Sequence, residues 1–293
     1  MRRYALQLAY EGTQYAGWQR QPNAPTIAGV VEQALSRLLQ TPIKLVGAGR
    51  TDAGVHARSQ IAHLDFPEPL PLPFLKRLNA LLPEDIRALA LYESDPTFHA
   101  RHSALRRTYR YFILPYPDPF RRAYSWYLPW PLCFDKLQEA ASYLVGLHNF
   151  MGFAKKMDPC KSGLCEVSFA SWQREESGAY VFTVTANRFL HAMVRALVGA
   201  QVRLATGKLA WEKFHAALHH QQRTWGMYLA PPQGLFLWEI TYAPDLLFLM
   251  ESYEQLLPST SGSPSAPNPT PEPPPDPTGA PFGSAHRGAG AAD

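Results

Sequence analysis

From residue 4 the apolar positions fall on alternate residues: Tyr4, Leu6, Leu8 and Tyr10. A period of two predicts a half-buried strand. A loop carrying Gly12, Gly17, Pro22 and Pro25 follows, and then the period changes. Thr26 sits where a helix cap belongs. Behind it Ile27, Val30, Val31, Ala34, Leu35, Leu38 and Leu39 recur at helical spacing until Pro42. Residues 43–46 and 60–66 predict two further strands, 71–82 a short helix punctuated by Pro83, and 86–92 a fourth strand.

The same order then recurs. Residues 107–114 predict a strand and 134–145 a helix; 168–174 and 180–186 make a hairpin around Ser177-Gly178. A long helix over 189–206 stops at Gly207, and a short helix over 211–218 precedes a last strand at 235–242. Two successive β-α-β-β-α-β series predict an α+β fold of two tandem ferredoxin-like units, their sheets joined around a central cleft. The N-terminal half would be residues 1–104 and the C-terminal half 105–247. The two halves are not visibly alike in sequence, so the expectation concerns architecture.

Composition separates the remainder. Ten of the 28 prolines fall in residues 258–293, among Ser, Thr, Gly and Ala with one aromatic, Phe282. Such a segment buries too little apolar surface to offset its ordering entropy, which predicts a disordered tail. The tail sets Arg287 against Glu272, Asp276 and Asp293, so a chain of net charge +4 carries +6 outside it. That is a mild bias towards an anionic partner and does not identify nucleic acid by itself. Three cysteines (Cys133, Cys160, Cys165), no apolar run of membrane-spanning length and a strand pattern directly behind Met1-Arg2-Arg3 predict a reduced, cytoplasmic setting. Cys160 and Cys165 lack a second pair, which favours free thiols over a zinc site.

The chemistry concentrates at Gly49-Arg50-Thr51-Asp52-Ala53-Gly54-Val55-His56-Ala57. Glycines flanking an Asp suit a tight turn that fixes one acid at a strand end. Most such triplets are only turns, so spacing alone leaves a catalytic Asp52 open. Arg106-Arg107-Thr108-Tyr109-Arg110-Tyr111 interleaves guanidinium groups with rings, which suits phosphates and stacked bases. It suits an edge strand with core tyrosines equally well. Alternation puts Tyr109 and Tyr111 on one side and Arg110 on the other. Arg195 lies among Met193, Val194, Leu197 and Val198, where a charge must reach solvent or find a carboxylate, and Asp52 is the mate we select. His191, four residues before it, reads as a packing or hydrogen-bonded residue more than as a base.

Together these segments resemble the bacterial tRNA pseudouridine synthase A family. The Asp52 stretch resembles the family signature. Tyr10-Glu11-Gly12-Thr13, Gly17-Trp18-Gln19, Leu78-Asn79-Ala80-Leu81-Leu82-Pro83-Glu84-Asp85-Ile86, Phe98-His99-Ala100-Arg101, Tyr109-Arg110-Tyr111, Phe189 to Arg195 and Gly234-Leu235 follow in the family's order. Ala28 stands where the family often has glutamine, and residues 160–166 lack the arginine usual there.

The resemblance implies isomerisation of uridine to pseudouridine at tRNA positions 38, 39 and 40. It makes Asp52 the nucleophile, Arg195 its ion-pair partner and Tyr109 the residue stacked on the target base. It implies that Leu235 is an apolar floor, that Arg50 helps displace the base, and that a homodimer forms a basic cleft for tRNA. Arg101, Arg106, Arg107, Arg110, Arg121, Arg122, Lys155 and Lys156 are then candidate phosphate contacts. No redox change or energy input is needed, so no cofactor, metal or nucleotide is expected, and no membrane partner. Two other readings stand beside it: a non-catalytic tRNA-binding module on the same fold, and a hydrolase using Asp52 with His56.

Overall fold

A computed structural model of the chain describes residues 1–155, 162–219 and 228–256. Residues 258–293, Cys160 and Lys156 lie outside the described residues. Strands β1 (Arg2–Tyr10), β2 (Val46–Gly47), β3 (His56–Phe66) and β4 (Ile86–Ser94) alternate with helices α1 (Ile27–Leu39) and α2 (Phe74–Asn79). The second series holds β5 (Arg106–Leu114), β6 (Trp126–Tyr127), β7 (Gly146–Asn149), β8 (Leu164–Arg174), β9 (Tyr180–Ala186) and β10 (Leu235–Thr241). Its helices are α3 (Phe134–Ser142), α4 (Met193–Ala205) and α5 (Trp211–His219); β11 (Leu247–Ser252) and α6 (Tyr253–Leu256) follow.

The eleven strands among the described residues belong to one sheet, running β11-β4-β1-β3-β10-β5-β9-β8-β7, with β2 beside β3 and β6 beside β5. The fold is α+β. In the first series the order β4-β1-β3-β2 places the fourth strand first, then the first, third and second. Taking β5, β8, β9 and β10 as the four strands of the second series gives the same order, β10-β5-β9-β8. The two groups meet where β10 pairs with β3, the only parallel contact along the main run of strands. That seam has two registered pairs, Phe236 with His56 and Leu237 with Ala57.

Local chemistry explains the element boundaries. Thr26 caps α1, its hydroxyl accepting from Gly29 N at 3.3 Å. The predicted strand over 43–46 shrinks to the two residues of β2. Side chains on α1 take the backbone N–H groups instead: Ile43 N donates to Ser36 Oγ and Leu45 N to Glu32 Oε1, both at 2.9 Å. Helix α4 starts at Met193, four residues later than predicted, because Ala192 takes a left-handed conformation with φ 58°. Helix α3 also ends earlier than predicted, at Ser142. Strand β11 was not foreseen. Its Glu251 is buried and caps α2, accepting from Phe74 N at 2.8 Å and Leu75 N at 3.2 Å.

On interior strand β3, buried His63 uses Nδ1 to accept from Ala100 N at 3.1 Å. Burial, reinforced by the charges of Arg3 and His99 and opposed by Asp65, pushes its imidazole down to about 4. The unfolded chain takes this proton near the ordinary histidine value of about 6.5, the folded one only near 4. Stability is therefore full above the upper value and falls as the pH drops through that window, by up to about 3 kcal/mol. Urea denaturation at a series of pH values should show this loss. His63→Asn, whose amide oxygen replaces Nδ1 as acceptor, should flatten it.

Candidate functional site

Asp52 lies in the loop between β2 and β3, directly ahead of the seam. A second loop, residues 11–18, lies across it. Trp18 N donates to Thr51 O at 3.1 Å, Gly54 N to Tyr15 O at 3.3 Å, and the Tyr10 and Thr51 hydroxyls share a buried bond of 2.8 Å. Two glycines permit this contact. A Cβ on Gly12 would stand 2.1 Å from Val55 O, and one on Gly17, whose φ is +90°, 2.4 Å from Thr51 O. The covering loop is itself anchored, as Tyr15 donates its hydroxyl to Asp85 Oδ1 at 2.7 Å and Glu11 N donates to Asp85 O at 2.9 Å.

Arg195 reaches this loop from the first turn of α4. Its Nη1 is 3.1 Å from Asp52 Oδ2, with side-chain exposures of 15% and 24%. Its Nε donates to Ala230 O at 2.8 Å, while Ala230 N donates to Arg195 O at 3.0 Å. The 228–231 segment can lie on α4 because Gly199 has no side chain; a Cβ there would be 2.1 Å from Tyr228 O. The guanidinium is thus aimed by a carbonyl as well as by the carboxylate. The mate selected for Arg195 from the sequence is the one it has.

His191 was missed as a site residue. Its Nε2 lies 3.5 Å from Asp52 Oδ1, and the ring is about half exposed. The turn at Ala192 sets it beside the carboxylate, across from Arg195. The spacing of four residues to Arg195 was the available signal, but it pointed to one helical face and not to this turn.

Tyr109, on β5, is 8% exposed and meets Phe189 edge-on at 5.1 Å between ring centroids. Burial raises its phenol well above the ordinary range, and the nearby Asp52 charge adds to this while Arg107 opposes it. Leu235 is buried opposite Tyr111 on the same side of the sheet. Arg50 is exposed, two residues before Asp52.

Arg110 is not brought to this cluster. It lies on the other side of β5, its guanidinium 4.2 Å from the ring centre of Trp238, which Arg58 also approaches at 4.6 Å. Arg107 turns inward and donates to the carbonyls of Ala104 (3.0 Å), Asn187 (2.6 Å), Ala48 (3.2 Å) and Arg101. Its guanidinium ties the predicted halves together, and little of it is left for an outside anion. His56 is 1% exposed; Nδ1 accepts from Gly12 N at 3.0 Å, and Nε2–H faces Ala123 O and Gln233 O at 3.0 and 3.1 Å. With both nitrogens occupied by backbone, and burial lowering its proton affinity, it is a neutral pin, which removes the hydrolase pairing with Asp52. Among the described residues no group of three or more His, Cys, Asp or Glu is placed to hold a metal ion.

A family model described as tRNA pseudouridine synthase matches residues 7–101 and 140–243. Asp52, His191, Arg195 and Leu235 fall inside these intervals and Tyr109 between them. The chain is 40% identical over 253 residues to the tRNA pseudouridine synthase A of Parabacteroides distasonis, covering 86% of this chain and 100% of that protein. It is 39% identical over 248 residues to the protein of that name from Bacteroides fragilis, with 84% and 98% covered. The one from Chlorobium limicola is 38% identical over 244 residues, with 83% and 100% covered.

Arg107 supplies a test of the local geometry. Arg107→Ala leaves four carbonyls without their donor, so it should lower unfolding stability by about 2–3 kcal/mol. Exposed Arg106→Ala should stay within about 0.5 kcal/mol of wild type. Thermal melts of the two variants make the comparison.

Proposed function

The chain belongs to the tRNA pseudouridine synthase family, and we propose that it isomerises uridine to pseudouridine at positions 38, 39 and 40 of the tRNA anticodon stem-loop, with Asp52 as nucleophile. The enzyme is an isomerase acting on tRNA uridine. The observation that carries the assignment of Asp52 is its ion pair with Arg195, formed within a loop held from both sides. A carboxylate that attacks carbon does so through its charge, and a guanidinium 3.1 Å away compensates that charge in a partly buried place.

In this reading the target base leaves its stack and enters beside Asp52. Tyr109 offers a ring face for stacking and Leu235 an apolar floor. Arg50, exposed beside the loop, helps occupy the space the base vacates. Asp52 attacks the uridine, the C1′–N1 bond breaks, the uracil turns, and C1′ rejoins through C5. The bond changes cancel, so the reaction consumes no cofactor. Exposed Arg101, Arg106, Arg122 and Lys155, with Arg121, line up phosphates of the RNA. Arg110 contributes from the far side of β5.

We read the architecture as two tandem ferredoxin-like units, residues 1–104 and 105–247, because both series share one strand order. The assembly we propose is a homodimer acting in the cytoplasm, its basic cleft formed by two copies. No helix among the described residues is long and apolar enough to cross a membrane.

Tritium release from tRNA labelled at uridine C5 tests the reaction, since joining the sugar to C5 expels that hydrogen. The wild type should release tritium. Asp52→Asn should lose more than about 10³-fold in rate while still binding tRNA. Release by the variant near the wild-type rate would remove Asp52 as nucleophile, and no release by wild type would leave a tRNA-binding module. For the surface, Arg106→Ala should reduce the slope of log affinity against log salt by roughly 0.7 to 0.9 if Arg106 meets one phosphate.

A further inference from the structure

The isomerisation leaves one task that the Asp52–Arg195 pair does not perform. After C1′ has joined C5, that carbon still carries its hydrogen, and a base must remove it. We propose that His191 is this base, with Nε2 accepting the C5 proton. The inference rests on the pseudouridine synthase reading above.

Three observations carry it. First, Nε2 lies 3.5 Å from Asp52 Oδ1, so an atom bonded or adjacent to the reacting carboxylate is within reach of the imidazole. The ring is about half exposed and can move aside to admit a base. Second, the backbone is bent to put it there. Ala192 holds φ 58°, a conformation a residue with a Cβ adopts at a cost, and the turn places His191 and Arg195 on opposite oxygens of one carboxylate. Lys155 N donates to His191 O at 3.0 Å and fixes the far side of the turn. Third, the phenol at the site is poorly suited. The phenol of Tyr109 is held neutral by burial and by the charge of Asp52, and a neutral phenol has little basicity at neutral pH.

The step balances without an oxidant or reductant. The C5–H electron pair becomes the C5=C6 double bond. With Asp52 attached at C1′ and released when C5 bonds there, the C6=N1 π pair moves to N1, which takes a proton from solvent, and the C5 proton passes to the lone pair of Nε2. With Asp52 attached at C6 instead, the displaced pair returns to its carboxylate oxygen as the C6–O bond breaks. The resulting imidazolium then faces the Asp52 carboxylate, the arrangement in which an ion pair stabilises it. Transfer onward to water resets the site.

A single-turnover experiment separates this role from a structural one. Target tRNA carrying hydrogen or deuterium at uridine C5 is mixed with excess enzyme, and pseudouridine formation is followed for wild type, His191→Gln and His191→Asn. Wild type should form product with an isotope effect near unity. Both variants should bind tRNA as wild type does, form product about 10²-fold more slowly and show a primary isotope effect, because C5–H cleavage has become the slow step. Wild-type rates in the variants would overturn the proposal. So would slow turnover without an isotope effect, the mark of a disturbed Asp52 loop. Absence of product with wild type would instead overturn the reading on which the proposal rests.

Discussion

The ion pair between Asp52 and Arg195 joins side chains 143 residues apart and requires both series of strands to be in place. Neither partner could occupy its position alone at low cost, since a partly buried charge without its mate loses hydration and gains little. The carboxylate is fixed by a loop sandwich that only Gly12 and Gly17 allow. The guanidinium is fixed by Ala230 O, which lies close to α4 only because residue 199 is glycine. Four backbone decisions thus converge on one contact of 3.1 Å. The pair marks the point where the fold and the proposed reaction share one requirement.

The seam behind that pair has its own cause. Strand β3 has one edge to give on the side away from β1, and β2 takes only its far part, at Ala62 and His63. The chain leaves β3 after Ala48, whose N–H donates to Ile61 O at 2.8 Å, and enters the Asp52 loop. The near end of β3 is left for β10, at His56 and Ala57. A short parallel pairing is weak by itself, and Arg107 reinforces the junction through carbonyls at Ala48, Arg101, Ala104 and Asn187. His56, stacked on Phe236 at 4.6 Å, closes the seam from the sheet's other side.

Much of this was legible in the sequence because it followed from period and charge. The alternation of β1, the Thr26 cap and the hairpin of β8 and β9 are local signals, and each is realised. The Asp52–Arg195 pair was legible because an arginine in an apolar helix has few alternatives. The losses share another character. Helix α4 was drawn too long because alanine is the best helix former, and nothing at Ala192 announces a left-handed turn. That error hid His191, which a continuous helix would have placed on the face of Arg195. Arg107 read as a candidate phosphate contact because strand alternation says where a side chain leaves the backbone and not where its long stem ends. Strand β11 escaped because Leu247-Phe248-Leu249-Met250 has no period, and its role, Glu251 capping α2, is a contact between distant segments.

The way Asp52 is held also bears on its reactivity. A guanidinium paired with a carboxylate compensates its charge but also draws on it, which would lower its strength in the proposed nucleophilic role. Here Arg195 engages Oδ2 alone and spends its Nε on a backbone carbonyl, so the bidentate fork is not formed. Oδ1 keeps a half-exposed imidazole at 3.5 Å, beyond a strong hydrogen bond. One oxygen therefore holds the ion pair, and in the proposed reaction the other is left to attack. A bidentate grip would have held the loop more tightly and left no oxygen for a base to meet. The site gives up part of the strongest available ion pair, and in the proposed reaction that concession leaves the carboxylate free to act.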